Sequence, residues 1–149
     1  MNLKYGGIIM ELFPMANIVV GILVLIVGFI FHWLGQLISV INWGLATKIG
    51  IQEKKMLPEY KVYEHAIAVA DVLIGWVYGI VAIGLILNDS WAYTFAWIPG
   101  IVLTYHSLFF WVMIGNQNKS GHPTTSSAFR ITWFLLNFVT GILTIVIAL

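Results

Sequence analysis

The sequence predicts an all-α, polytopic membrane protein whose four transmembrane helices form one bundle over residues 1–149. Hydrophobic residues make up 60% of the chain and charged residues only 9%, whereas about a quarter of the residues of a soluble domain are charged. The mean hydropathy is +0.95, and the apolar residues gather into four segments, each long enough to cross a bilayer, which takes roughly 20 residues. A chain of this composition has too little polar surface to fold as a soluble globule.

The limits of the predicted helices follow from prolines and polar turns between the apolar segments. Pro58 lacks a backbone N–H and prevents one continuous helix from running through the first charged loop. Asn88, Asp89 and Ser90 separate the second segment from the third by a tight turn. Pro99 predicts a bend in the outer half of the third segment. The predicted spans are residues 17–46, 62–87, 91–115 and 127–148, and the two longer loops are residues 47–61 and 116–126.

The positive charges predict the orientation in the membrane. Cytoplasmic loops of membrane proteins carry an excess of lysine and arginine. Six positive side chains lie in or beside the two longer loops: Lys48, Lys54, Lys55, Lys61, Lys119 and Arg130. Lys4 alone lies on the opposite side. We therefore expect both longer loops in the cytoplasm, both termini on the other side, and the protein in the plasma (inner) membrane.

Composition also excludes several functions. The chain has no cysteine, which removes disulfide exchange, thiolate nucleophiles and cysteine-ligated zinc or iron–sulfur centres. A net charge of +1 provides no basic surface for nucleic acid. No metal site is predicted, and the one cofactor that the sequence leaves open is a haem held by His32 and His106. Their estimated depths differ, at about 14 and 9 residues from the cytoplasmic ends, which argues against haem.

The strongest functional indication is one deep polar side chain in each predicted span. Gln36, Asp71, His106 and Asn137 each lie nine or ten residues from the predicted cytoplasmic end, which is near the middle of the bilayer. An ionisable group at that depth costs roughly 3 kcal/mol on insertion scales and is seldom present without a use or a partner. The sequence therefore predicts an intramembrane polar site, although the two amides are also typical of hydrogen bonds that only join helices.

Four further residues are candidates for the same site. Glu64 and Arg130 lie closer to the cytoplasmic side and are predicted to form an interfacial ion pair. Tyr105 adjoins His106 in the sequence. His32 follows the same helical stripe as Gln36, but its greater estimated depth favours a packing role.

Small residues predict how the helices pack. Gly21, Gly28 and Gly35 recur every seven residues in the first segment, and Gly75 with Gly79 forms a GxxxG motif in the second. Such rows allow helix backbones to approach closely. The approach can occur within one bundle or between two copies, so a homodimer through the glycine-rich faces stays open.

The pattern favours transport of an ion or small molecule, linked to protons, in which Asp71 changes protonation with the help of His106. A membrane enzyme that uses these groups for acid–base chemistry on a lipid-soluble substrate is an alternative. A structural or accessory subunit, in which the polar layer only fixes helix registry, is another. The expected partners are the lipid bilayer and a small molecule, ion or lipid in the bundle core.

Overall fold

The structure is a computed structural model that describes residues 13–122 and 125–149. Residues 1–12, with Lys4, and residues 123 and 124 of the second predicted loop lie outside the described residues. Four helices are long and apolar enough to cross a membrane, and we number them as spans: span 1 is Ala16–Ile41, span 2 is Pro58–Ile86, span 3 is Ser90–Lys119 and span 4 is Ser127–Ala148. Even the shortest, with 22 residues, is about 33 Å long, which exceeds a hydrocarbon core of about 30 Å. The predicted fold class is confirmed.

Span 1 ends earlier than its hydrophobic pattern suggested. The backbone of Asn42 leaves the helical conformation, at φ −151° and ψ 88°, and its side chain accepts a hydrogen bond of 2.9 Å from the N–H of Leu45. This is an N-cap, and it begins a separate short helix, Trp43–Lys48. The first span was predicted to run to Ala46, and Asn42 instead terminates it at Ile41.

Span 1 also contains a π-helix over Val24–Trp33, between two α-helical parts, Ala16–Leu23 and Leu34–Ile41. π-helical turns are rare, and they occur frequently at functional sites. His32 lies in the last turn of this π-helix. The π-helix therefore ends beside His32, one of the polar residues described in the next subsection.

The loop of residues 49–57 folds back into the end of the bundle. Gly50 has a positive φ of 85°, which suits glycine because it has no Cβ to clash. The N–H groups of Ile51 and Gln52 both donate to the carbonyl of Ala46, at 2.9 and 3.2 Å. Because of this reversal, the Gln52 side chain is only 4% exposed although it belongs to a loop. Span 2 then begins at Pro58, where the missing N–H costs nothing.

Span 3 is interrupted near its start. A helix of residues Ser90–Phe95 is followed by the turn residue Ala96 and then by the helix Trp97–Lys119. Pro99 explains the break, because its ring would clash with the carbonyl four residues earlier in a continuous helix. The break thus lies in the half of span 3 that is remote from the 49–57 loop.

The glycine rows lie between spans 1 and 2 of the same chain. A Cβ on Gly28 would lie 3.0 Å from the Tyr78 ring, and one on Gly79 would lie 2.8 Å from the Phe29 ring. A Cβ on Gly75 would lie only 2.6 Å from Trp33. These glycines pack against aromatic side chains of the same chain, which is the close approach within one bundle that the sequence allowed.

The outer surface of the bundle is apolar, as contact with a lipid bilayer requires. Large aliphatic side chains face outward along the spans, for example Leu73 at 69% exposure and Val112 at 58%. The interior contains an apolar core drawn from all four spans. The polar residues of the next subsection lie between this core and the 49–57 loop.

Candidate intramembrane ion site

Asp71 of span 2 lies between two histidines that come from two other spans. Its Oδ2 is 3.1 Å from Nε2 of His32 in span 1 and 3.8 Å from Nδ1 of His106 in span 3. The two imidazole rings meet edge to face with centroids 4.0 Å apart. All three residues are buried, with 9% or less of their surface exposed. We call these three residues the His–Asp–His cluster.

The participation of His32 corrects the sequence analysis, which assigned it a packing role on the basis of depth. The estimate counted from Ala46, but span 1 ends at Ile41, so His32 lies nine residues from the end of its helix. Counted from the observed helix ends, Asp71 lies 13 residues from Pro58 and His106 lies 13 residues from Lys119, so the three members of the cluster do not share one count. A count of residues from helix ends was therefore a poor basis for excluding His32, whereas the stripe that it shares with Gln36 does face the interior.

The two histidines contact Asp71 differently. The His32–Asp71 distance is that of a hydrogen bond, whereas the distance of 3.8 Å from His106 is too long for one. Within residues 13–122 and 125–149, no hydrogen bond to the His106 ring is present, and Nδ1 of His32 is also without a partner. The cluster thus holds unused imidazole nitrogens in a buried space.

A cavity of about 90 Å³ borders the cluster, and all four spans contribute to its wall. His32 and His106 face it, and its lining is completed by Phe31, Gly35, Gln36, Ile51, Gln52, Glu53, Glu64, Phe110, Met113, Phe129 and Trp133. A buried water occupies roughly 30 Å³ of liquid volume. The cavity therefore has room for a few water molecules or for a hydrated ion.

Gln52 places an amide at the loop end of this cavity. Its Nε2 lies 3.1 Å from Oγ of Ser39, and 3.5 Å from both Oε1 of Gln36 and Oε1 of Glu64. An amide nitrogen has two N–H donors for these three acceptors, so they cannot all be satisfied at once. Gln36 consequently lies with the loop and Glu64, one helical turn from His32, and not in direct contact with Asp71.

Glu53 is the second loop residue in the cavity wall. It is half-buried, and burial raises the pKa of its carboxyl from 4.5 to about 7. This pKa of about 7 includes a lowering effect of a hydrogen bond from the backbone N–H of Glu53 and a smaller raising effect of the nearby Glu64 carboxylate. A carboxyl group with this pKa exchanges protons near neutral pH.

An open cleft of about 560 Å³ lies on the outer side of the same loop. It shares Ile51, Gln52, Glu53 and Phe129 with the cavity, so these side chains separate the two spaces. Lys54, Lys55, Thr47, Gly50, Thr125 and Ser126 form the rest of its wall. Gln52 and Glu53 are thus the polar side chains that lie between the cleft and the cavity.

The opposite side of the cluster is closed by apolar side chains. The Tyr78 ring contacts His32 edge-on, with ring centroids 5.7 Å apart. Beyond it lie Val24, Val81, Leu85 and Leu103, which we call the apolar seal and which are each 1% exposed or less. The cluster is thus approached by polar groups from the loop end and blocked by hydrocarbon from the other.

The predicted ion pair between Glu64 and Arg130 is wrong. Nη2 of Arg130 donates to the carbonyl oxygen of Trp111 at 2.5 Å, and its guanidinium lies over the Trp111 ring, 3.8 Å from the centroid. Glu64 instead faces Gln52. Arg130 belongs to the contact between spans 3 and 4, where stacking on an indole replaces the expected carboxylate.

Two other predicted site residues also lie away from the cluster. Tyr105 is 62% exposed on the outer surface of span 3, because its neighbour His106 takes the inward position. Asn137 is fully buried, but its amide donates to the carbonyl of Trp133 in its own helix, at 2.8 Å, and it is not part of the cavity wall. The equal depth estimated for Asn137 and the cluster residues thus did not place Asn137 in the same site.

A haem ligated by His32 and His106 does not fit the arrangement of these two rings. Axial histidines lie on opposite faces of a porphyrin, whereas the rings of His32 and His106 are in direct contact. No space for a macrocycle lies between them.

Gln52 and Glu53 are the cavity residues that the sequence analysis missed. The one indication was that Gln52 is the only amide in a loop of otherwise charged and apolar residues. Comparison of the chain with protein-family models, curated proteins and solved structures gave no significant match. The geometry of the site therefore carries the functional argument alone.

Proposed function

We propose that this protein transports a small cation across the membrane in a proton-linked manner, and that the His–Asp–His cluster holds the cation during transit. The observation that carries the proposal is a buried carboxylate between two imidazoles, at the inner end of a cavity that begins at the 49–57 loop. Burying such groups in a membrane is costly, and sites of this kind mark ion pathways and proton relays.

The size of the cavity favours an ion over an organic substrate. Pockets for drug-sized molecules and cofactors have volumes of roughly 300–1,000 Å³. The cavity at the cluster measures about 90 Å³, which suits an ion with a few waters. The same comparison counts against the alternative of an enzyme acting on a lipid-soluble substrate, because the scissile group of a lipid would have no room beside Asp71.

The one-sided access of the cluster also supports transport. Polar groups lead to it from the loop end, while Tyr78 and the apolar seal close the other side. Alternating access requires a midplane site that opens to one side at a time. With the lysine-rich loop in the cytoplasm, as the positive charges predict, this conformation faces inward.

A flux assay in proteoliposomes tests the proposal. Vesicles containing a pH-sensitive dye, energised by a potassium diffusion potential, should acidify or alkalinise faster with wild-type protein than without protein. Asp71→Asn should reduce the rate to that of empty vesicles, whereas Glu59→Gln, which changes an exposed carboxyl in the first turn of span 2, should retain it. Wild-type vesicles that behave as empty ones with protons, sodium and divalent cations alike would refute transport, as would an unchanged rate in Asp71→Asn.

A further inference from the structure

We propose that the His–Asp–His cluster is a binding site for a divalent transition-metal ion of the Zn²⁺ or Mn²⁺ class, ligated by Nε2 of His32, Oδ2 of Asp71 and Nδ1 of His106. This inference rests on the proposed function, because it names the cation that the cluster would hold. It differs from the sequence analysis, which predicted no metal site.

The distances within the cluster are close to those of a coordination shell. The three ligand atoms all lie within 4.8 Å of one another, and the two involving Asp71 are separated from it by 3.1 and 3.8 Å. A tetrahedral ion with bonds of 2.0–2.1 Å holds its ligand atoms about 3.3 Å apart. The His32–Asp71 pair already has about this spacing, and small rotations of the side chains bring the two pairs that involve His106 to a similar spacing.

The second histidine is the feature that a simple hydrogen bond does not explain. His32 and Asp71 already form a hydrogen-bonded pair at 3.1 Å. His106 is 5% exposed and directs Nδ1 toward the same carboxylate oxygen from 3.8 Å, without a hydrogen bond to its ring in the described part of the chain. Buried polar atoms are normally paired. An ion between the three atoms would use the lone pair of each.

The donor set selects the class of metal. Two imidazoles and one carboxylate suit zinc, manganese or ferrous iron, whereas Ca²⁺ and Mg²⁺ prefer oxygen ligands alone and Cu⁺ prefers sulfur. The chain has no cysteine to supply a thiolate. Three protein ligands leave at least one coordination position open, as in sites where a metal exchanges ligands.

The surroundings provide both the open position and the route. His32 and His106 border the cavity of about 90 Å³, so water can complete the shell from that side. Glu53 of the loop and Glu64 of span 2 line the same cavity, and their carboxyl groups attract cations when ionised. One carboxylate and two neutral imidazoles balance half of the charge of a divalent ion, so the bound ion keeps a net positive charge.

Metal titration of the full-length protein in detergent tests the site, with any histidine tag removed. Co²⁺ serves as the spectroscopic probe and Zn²⁺ as its competitor. We expect one Co²⁺ per chain, displaced by Zn²⁺, with affinity lowered at least about tenfold in Asp71→Asn and in His106→Gln. His65→Ala, which removes an exposed histidine of span 2, is the matched control and should bind as wild type does. Equal affinity in wild type and both cluster variants would overturn the proposal.

X-ray absorption of the Zn²⁺-loaded wild type keeps the test independent of whether the variants fold. A shell with two imidazoles is expected, and a shell of oxygen alone would overturn the site. The outcomes also separate this inference from transport. Zn²⁺ binding at the cluster without flux would refute the proposed function and leave the metal site standing. Proton flux without Zn²⁺ binding would refute the metal site and leave the proposed function standing.

Discussion

The carboxyl group of Glu53 provides a pH-dependent test of how the 49–57 loop sits in the bundle. Burial raises its pKa from 4.5 to about 7, with a further contribution from the Glu64 carboxylate. The folded state therefore binds this proton more tightly than the unfolded state does. The stabilising effect is complete below pH 4.5 and is lost as the pH rises through about 7.

The magnitude follows from the two pKa values. Each tenfold change in proton affinity corresponds to about 1.4 kcal/mol, so a rise from 4.5 to about 7 amounts to about 3 kcal/mol. Glu53→Gln carries a neutral amide at every pH and lacks this dependence. Wild type and variant should be similarly stable at pH 4, and the wild type should be less stable by about 3 kcal/mol at pH 9.

Reversible unfolding by SDS, followed by circular dichroism between pH 4 and pH 9, measures this difference. Subtracting the variant from the wild type removes the contributions of groups that titrate in both. Glu59→Gln, at an exposed position in span 2, is the control and should leave the wild-type pH dependence in place. A difference between wild type and Glu53→Gln that stays constant across this range would show that the Glu53 carboxyl is not buried in the cavity wall.

Two stability measurements test the packing of the spans with the same unfolding assay. Gly75→Ala would place a Cβ 2.6 Å from the Trp33 ring and should destabilise the protein by about 1–3 kcal/mol, whereas a Cβ on Gly35 has an ordinary contact of 3.5 Å and Gly35→Ala should change little. Equal effects of the two substitutions would contradict the packing of spans 1 and 2. Arg130→Met removes the stacking on Trp111 and should cost about 1–2 kcal/mol, of which Arg130→Lys should recover part. An unchanged stability of Arg130→Met would mean that the stacked contact is not formed in the membrane.

The features that sequence could predict are those that depend on long-range periodicity and on the cost of burying charge. Four apolar segments predict four helices, and an inward-facing Asp71 follows from the absence of any favourable alternative in lipid. His106 faces the same interior for the same reason. Neither inference requires knowledge of where a helix begins or ends within a few residues.

The features that sequence did not predict depend on local breaks and on helix rotation. Asn42 fits the sequence pattern either as the next member of a polar stripe or as an N-cap. The backbone of the folded chain shows that it is an N-cap. That choice moved the end of span 1 by five residues, from Ala46 to Ile41, and with it the depth of His32. The long side chain of Arg130 can extend toward a carboxylate or an aromatic partner, and the rotation of span 4 about its axis places it on Trp111.

The burial of Gln52 is a tertiary effect with almost no local signal. Its position is fixed by the reversal at Gly50 and by hydrogen bonds to Ala46, which lies before the turn. A loop with this composition would ordinarily be solvated. The wall of the polar cavity on the loop side therefore depends on a chain reversal that leaves no periodic pattern in the sequence.

Access to the cavity from one side of the membrane is the central claim, and cysteine labelling tests it most directly because the chain contains no cysteine of its own. Gln36→Cys places a thiol in the cavity wall, and Leu103→Cys places one in the apolar seal. A charged, membrane-impermeant thiol reagent applied on the side of the 49–57 loop should modify Gln36→Cys and should not modify Leu103→Cys. Equal labelling of the two variants from that side, or faster labelling of Leu103→Cys than of Gln36→Cys, would contradict the account.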